Sequence, residues 1–259
     1  MDSDIVGIEQ QGRIAVMTMQ FRPYNLIGFD LLEALLAALG RIDHEKTGAI
    51  VLRSSLRHFS AGADIAMFEE RAETGRKEAV VDLAGFMEKW EAFPIPIVAA
   101  INGVCLGGGF ELALMCDYVV AASSAKIGSV EASLGLHPLM GGIQRQVQRA
   151  GALRAKEISI LGRRYDPATL ERWNLINLVV ADDRLDAAAL NIAEEIAHGP
   201  SVAHAATKRL VAVTVDEGVL AADRAMEDIQ RPIWASEDLK IGLAAFHASG
   251  PGAAKFKGR

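Results

Sequence analysis

The pattern of this 259-residue chain predicts an α/β core followed by a helical C-terminal region. Two observations carry that expectation. Strand-like and helix-like runs alternate up to Val180, as in layered α/β folds, and from Asp183 the chain reads as helix nearly to its end. Composition bounds the class, since 51% hydrophobic and 23% charged residues match an ordinary globular protein able to bury a core.

Taken in order, residues 5–9 and Ile14–Met19 read as strands joined by a turn at Gln11-Gly12. Arg22-Pro23-Tyr24-Asn25 interrupts the pattern. Residues 29–42 place Leu32, Leu35, Leu36 and Leu39 at helical spacing. Residues 49–52 form a buried-type strand and 53–62 a loop. A helix begins near Asp64, and another spans 77–93 until Pro94 and Pro96 stop it. The strand Ile97–Ile101 leads into the turn Asn102-Gly103. Tyr118–Ala122 and Lys126–Gly128 are further strands, 141–161 is mostly helical, and 176–180 is the last strand. The division falls between residues 1–199 and a helical region, 200–259. Leu210, Val213, Leu220 and Ala221 give those last helices apolar faces, which need either another copy of the chain or the chain's own core to cover them.

Net charge is −6, a poor match to nucleic acid, which calls for concentrated basic surface. The two cysteines, Cys105 and Cys116, sit in apolar surroundings and read as reduced core thiols of a reducing compartment. No N-terminal leader pattern and no apolar run of membrane-spanning length is present, so a cytoplasmic protein without membrane contact is expected.

The chemistry concentrates in residues 97–117, IVAAINGVCLGGGFELALMCD. An apolar strand, a turn and the glycines Gly107, Gly108 and Gly109 precede a helix over 110–115. A helix start leaves N–H groups unpaired and carries partial positive charge, and glycine lets a ligand reach the backbone. Such a site suits an oxygen that becomes negative, with Glu111 beside it. The same pattern also serves a close strand–helix crossing in which Glu111 merely favours the helix start. Ser60-Ala61-Gly62-Ala63-Asp64 is a second small-residue loop after a strand, with Asp64 placed to cap a helix. It is either a capped turn or a second N–H donor to the same oxygen. Glu131 follows a short strand twenty residues after Glu111 and is either solvated surface or a second carboxyl at that oxygen. No His/Cys clustering suggests a metal, and no G-x-S-x-G motif suggests a hydrolase elbow.

Three stretches together, FSAGADI at 59–65, AAINGVCLGGGFELALMCD at 99–117 and IGSVEASLGLHPLMGGIQR at 127–145, resemble the enoyl-CoA hydratase/isomerase (crotonase) family over nearly the whole chain. The resemblance implies a spiral of ββα units and a helical C-terminal trimerisation region. It also implies acyl-CoA thioester substrates and a homo-oligomer, either a trimer or a dimer of trimers. By the same resemblance the thioester oxygen lies between the N–H groups of Ala63 and Gly108. Arg22, Ala61, Ala63, Asp64, Ile65, Gly107, Gly108 and Leu139 contact substrate. Glu111 holds and deprotonates water, and Glu131 protonates the α-carbon. Neither metal nor cofactor is implied beyond the coenzyme A of the substrate.

Keeping both glutamates matches the hydratases. An isomerase would use Glu131 alone, and a non-catalytic, RNA-associated relative would need neither. Three positions depart from the common pattern: Leu136-His137-Pro138-Leu139-Met140 after the second glutamate, Phe21 before Arg22-Pro23, and Ser249 where a lysine is usual. His137 is a candidate third polar group, and Lys255 and Lys257 are candidate replacements for the lysine.

Overall fold

The computed structural model describes residues 5–66, 69, 73 and 82–259. The strands are β1 (Val6–Gln11), β2 (Ile14–Met19), β3 (Ala49–Ser54), β4 (Ile97–Ile101), β5 (Val104–Leu106), β6 (Tyr118–Ala122), β7 (Lys126–Gly128) and β8 (Leu178–Val180). The described helices are α1 (Phe29–Gly40), α2 (Leu83–Glu91), α3 (Gly108–Leu114), α4 (Gly142–Leu161), α5 (Pro167–Arg172), α6 (Leu185–Ala197), α7 (Ser201–Glu217), α8 (Val219–Ala235) and α9 (Glu237–Ser249). The helix expected from Asp64, and the part of the 77–93 helix before Asp82, lie largely outside the described residues. The Asp82 carboxylate caps α2 by accepting from Gly85 N–H at 2.9 Å.

Six strands form one sheet in the order β1-β2-β3-β4-β6-β8, parallel except for the β1–β2 hairpin. In that hairpin Gln11 faces Ile14, so the turn is Gly12-Arg13, one residue later than the sequence suggests, with Gly12 at φ 59°. β5 and β7 pair in a separate two-stranded parallel sheet. The units β4-β5-α3 and β6-β7 each place their first strand in the large sheet and their second in the small one. β5 escaped the sequence reading. It is three residues long and is masked by the turn and glycines around it.

Alternation along the large sheet sends side chains to two different cores. Val16, Val51, Val98 and Val120 meet Leu185, Ala189, Ala193 and Ala197 of α6. Met17, Leu52, Ile97, Ile101 and Val119 join the larger core with Leu31 and Leu35 of α1 and Phe86 and Trp90 of α2. Both faces are covered, which is why these strands read as unbroken apolar runs rather than as alternating ones. Full burial of each such side chain contributes about 1.5–3 kcal/mol. α6 crosses so near the sheet that a β-carbon on Gly48 would lie 2.6 Å from the Ala197 carbonyl oxygen.

The chain between β7 and β8 differs from the expected outline. α4 contains a non-helical residue, Gly151, at φ 79° and ψ 162°, so it is two helical pieces. α5, only six residues long, was not foreseen, and the Asp166 carboxylate caps it by accepting from Thr169 N–H at 2.9 Å. The last strand starts at Leu178 rather than 176. In the C-terminal region α7 and α8 pack on each other, yet α7 buries no residue completely. Leu220 and Trp234 are 73% and 65% exposed, while Leu210, Val213 and Ala221 are half-buried. Cys105 and Cys116 are free and buried. Among the described residues no helix is long and apolar enough to cross a membrane.

Candidate active site

The glycine turn is built by three glycines for three different reasons. Gly107 caps α3 with φ 49° and ψ −125°, a conformation open to glycine, and donates its N–H to Gly128 O at 2.9 Å. A β-carbon on Gly108 would lie 3.1 Å from Ile27 Cβ, and one on Gly109 2.5 Å from Ser60 Cβ. The helix starts at Gly108 rather than Phe110, so the Gly108 N–H falls in the first turn, where no intrahelical acceptor exists.

The second loop is strapped to the first. Ser60 bridges to Cys105, and Leu106 N–H donates to Ser60 O at 3.1 Å. Ile27 N–H donates to Gly62 O and Ile27 O accepts from Asp64 N–H, both at 2.8 Å. In extended chain successive N–H groups point to opposite sides, so the Ala63 N–H points away from Ile27. Among the described residues neither the Ala63 nor the Gly108 N–H has an acceptor. Ile27 thus has one loop bonded to its backbone and the other packed on its side chain.

Both glutamates converge on this turn. Glu111 lies in the first turn of α3, is 3% exposed, and its Oε1 accepts from the N–H groups of Met140 and Gly142, each at 2.8 Å. Burial pushes its pKa up to about 7, the Gly142 N–H holds it down, and the nearby Glu131 charge pushes it up. Glu131 opens a 3₁₀ turn, Glu131–Leu134, three residues beyond the strand end at Gly128. It is buried, and among the described residues neither of its carboxyl oxygens has a hydrogen-bond partner. Burial raises its pKa, opposed by the His137 charge. A β-carbon on Gly107 would stand 3.1 Å from Glu131 Oε1.

The remaining candidates scatter around this centre. Ala61 donates its N–H to Tyr24 O at 3.0 Å. Asp64 Oδ1 accepts from Ala66 N–H at 3.1 Å, as its capping assignment requires. Ile65 and Leu139 are 51% and 36% exposed. Arg22 is exposed beside a cis peptide bond to Pro23, and no contact joins it to the glutamates among the described residues. His137 is exposed, with Nδ1 2.7 Å from Pro138 O. Of the two tail lysines, Lys257 is engaged within its own chain by Glu237 at 3.1 Å, while Lys255 is exposed. Among the described residues no group of His, Cys, Asp or Glu is arranged to hold a metal.

Three contributors lay beyond the sequence reading. Met140 and Gly142 act through backbone N–H groups, which no side chain announces. Asn25, fully buried at φ 50°, donates to Ser54 Oγ and Phe59 O, while its own carbonyl accepts from Ser60 Oγ. Its signal was an asparagine in a turn, read only as a break.

A profile of the enoyl-CoA hydratase/isomerase family matches residues 9–257. The chain therefore belongs to the enoyl-CoA hydratase/isomerase family, whose members act on acyl-CoA substrates. It is 38% identical to a probable enoyl-CoA hydratase of Rhizobium meliloti (strain 1021), covering 96% of each chain. It is 31% identical to a short-chain-enoyl-CoA hydratase of Clostridium acetobutylicum, covering 95% of each. A crystal structure of an enoyl-CoA hydratase from Bacillus anthracis superposes with a TM-score of 0.87 at 30% identity, over 98% of this chain and all of that one.

Proposed function

We propose that the protein is a hydratase that adds water across the 2,3 double bond of a 2-enoyl-CoA thioester. One observation carries the reading: two buried carboxyl groups, Glu111 and Glu131, flank a glycine turn at which, among the described residues, the Ala63 and Gly108 N–H groups lack acceptors. Hydration moves electron density onto the thioester oxygen as water attacks the β-carbon. Preorganised N–H donors stabilise that charge, and each is worth on the order of 10²–10³ in rate. Ala63 and Gly108 N–H take this part. Glu111 accepts the proton of water and Glu131 delivers one to the α-carbon, each role being worth roughly 10²–10⁴.

Burial raises both carboxyls, Glu111 to about 7, which brings the pair toward the range where a carboxyl can exchange protons near neutrality. An isomerase needs a single carboxyl, and the N–H cradle around Glu111 would then have no task. The relatives named as hydratases point the same way. Every step is served by side chains and backbone, so the reaction calls for no metal and no cofactor beyond substrate coenzyme A. Arg22, Ala61, Asp64, Ile65, Gly107 and Leu139 are assigned to the substrate rim, and the enzyme to a cytoplasmic homo-oligomer.

Incubation with a 2-enoyl-CoA tests the reading. Loss of the conjugated enoyl absorbance with formation of 3-hydroxyacyl-CoA is the expected result. Turnover of 3-enoyl-CoA alone would overturn it in favour of isomerisation.

A further inference from the structure

The turn that grips Glu111 is itself gripped from behind. Gly142 N–H, one of the two donors to Glu111 Oε1, belongs to the same peptide unit as the Gly141 carbonyl. In a planar trans peptide these two groups point in opposite directions. The carbonyl accepts from Arg145 Nη1 at 3.0 Å and from Arg145 N–H at 3.2 Å. The rest of the guanidinium forks onto Glu91, the last residue of α2. Nε donates to Glu91 Oε1 at 2.8 Å, and Nη2 donates to Oε2.

The packing around this contact leaves little slack. The Arg145 side chain is only 15% exposed. Gly141 sits at φ 80°, where a β-carbon would lie 2.0 Å from Arg145 Nη1 and 2.9 Å from Met87 Sδ of α2. Two adjacent glycines give the Gly141–Gly142 peptide the widest backbone freedom in the chain's vocabulary. Unanchored, that peptide can turn its carbonyl, instead of its N–H, toward the Glu111 carboxylate.

We propose that Arg145, held by Glu91, is a positioning residue that locks the Gly141–Gly142 peptide so that its N–H stays on Glu111. The proposal rests on the reading of Glu111 as the base that accepts the proton of water. Arg145 touches no reacting atom. It acts by orienting the peptide and by polarising it, since a bond accepted at a carbonyl strengthens donation from the same unit by roughly 10–30%. Glu131 faces Glu111 from the 3₁₀ turn, and His137 acts on Glu131 in turn. The Arg145 and Glu91 charges offset each other behind the peptide.

The test measures kcat and KM for a 2-enoyl-CoA against pH in Arg145→Met, Arg145→Lys, Glu91→Gln and Glu111→Gln. Losing the Gly142 N–H lets the Glu111 carboxylate take a proton more readily. Arg145→Met is therefore expected to move the acid limb of the kcat profile to higher pH and to lower kcat roughly ten- to a hundredfold with KM little changed. Glu91→Gln is expected to do the same to a smaller extent. Arg145→Lys, which keeps a donor for Gly141 O, is expected to recover part of the rate. If Arg145→Met does not fold, Glu91→Gln decides, because Glu91 is 40% exposed at a helix end. An unmoved acid limb and unchanged kcat in Glu91→Gln and in any folded Arg145→Met, with Glu111→Gln inactive, overturn the positioning role alone. Full turnover in Glu111→Gln overturns the assignment of Glu111 itself.

Discussion

Gly107 and Glu131 meet so closely that a β-carbon on the glycine would stand 3.1 Å from the carboxyl Oε1. The contact joins the start of α3 to the 3₁₀ turn after β7, so the two halves of the site share one wall. Gly107 also holds φ 49°, which a side chain rarely adopts. Gly107→Ala therefore imposes backbone strain of about 1–3 kcal/mol and pushes Glu131 out of place. A lowered melting temperature and at least a tenfold loss of kcat are expected. Unchanged turnover in the folded variant would show that Glu131 does not work from this position.

Glu111→Gln and Glu131→Gln are each expected to lower kcat at least about a hundredfold, the scale of one acid–base role. Both replacements keep the shape of the side chain, so binding of a non-reacting CoA thioester is expected to stay within a few-fold of the parent. Calorimetric titration separates the two effects. A variant that keeps its rate removes that residue from the chemistry.

How far the chain discloses itself depends on the scale of the feature. The sheet strands β2, β3, β4 and β6 are dominated by apolar runs because both of their faces are covered, so they stand out. β5 and α5 are too short to establish a period. Glu111 and Glu131 could be singled out because a carboxylate beside glycines or after a strand is a visible anomaly. That the two converge was carried by resemblance alone. Their surroundings were hidden for a physical reason: Met140, Gly142, Ala63 and Gly108 contribute N–H groups, which every residue but proline possesses. Only the folded backbone says which of them lack partners.

The raised pKa of Glu111 sets a sign for stability. Its value moves from 4.5 to about 7 on folding, so the native state binds this proton more tightly than the unfolded chain. The advantage is complete below pH 4.5 and is lost as pH rises through 7, an interval worth about 3 kcal/mol for a fully buried group. Glu111→Gln removes the ionisation and is expected to narrow the loss of stability between pH 5 and pH 8 by about 1–3 kcal/mol. Denaturant unfolding at the two pH values reads it out. An identical pH dependence in parent and variant would place Glu111 in contact with solvent.

Gly108→Pro deletes one N–H with little cost to the helix. Gly108 is the first residue of α3, and proline is tolerated at that position because its N–H has no helical acceptor. The contact to resolve is with Ile27, whose Cβ would stand 3.1 Å from a β-carbon on residue 108, so the substitution is paired with Ile27→Ala. The double variant is expected to fold and to lose on the order of 10²–10³ in kcat relative to Ile27→Ala alone. Equal rates in the two would displace the Gly108 N–H from the thioester oxygen.

The C-terminal helices leave several large apolar side chains uncovered. Leu220, Trp234, Leu243 and Phe246 are 73%, 65%, 54% and 58% exposed, all on α8 and α9. Exposed apolar patches on this scale mark association surfaces, and a second copy of the chain supplies a matching one through rotational symmetry. A homo-oligomer is therefore expected in solution, and the family resemblance implies a trimer or a dimer of trimers. Trp234→Asp combined with Leu220→Asp places two charges on that surface and is expected to shift the mass measured by light scattering toward the 27.7 kDa monomer. Both side chains are exposed in the single chain, so its own fold tolerates the change. A parent protein already monomeric at micromolar concentration, or an oligomer indifferent to both charges, would mean that these faces do not make the contact.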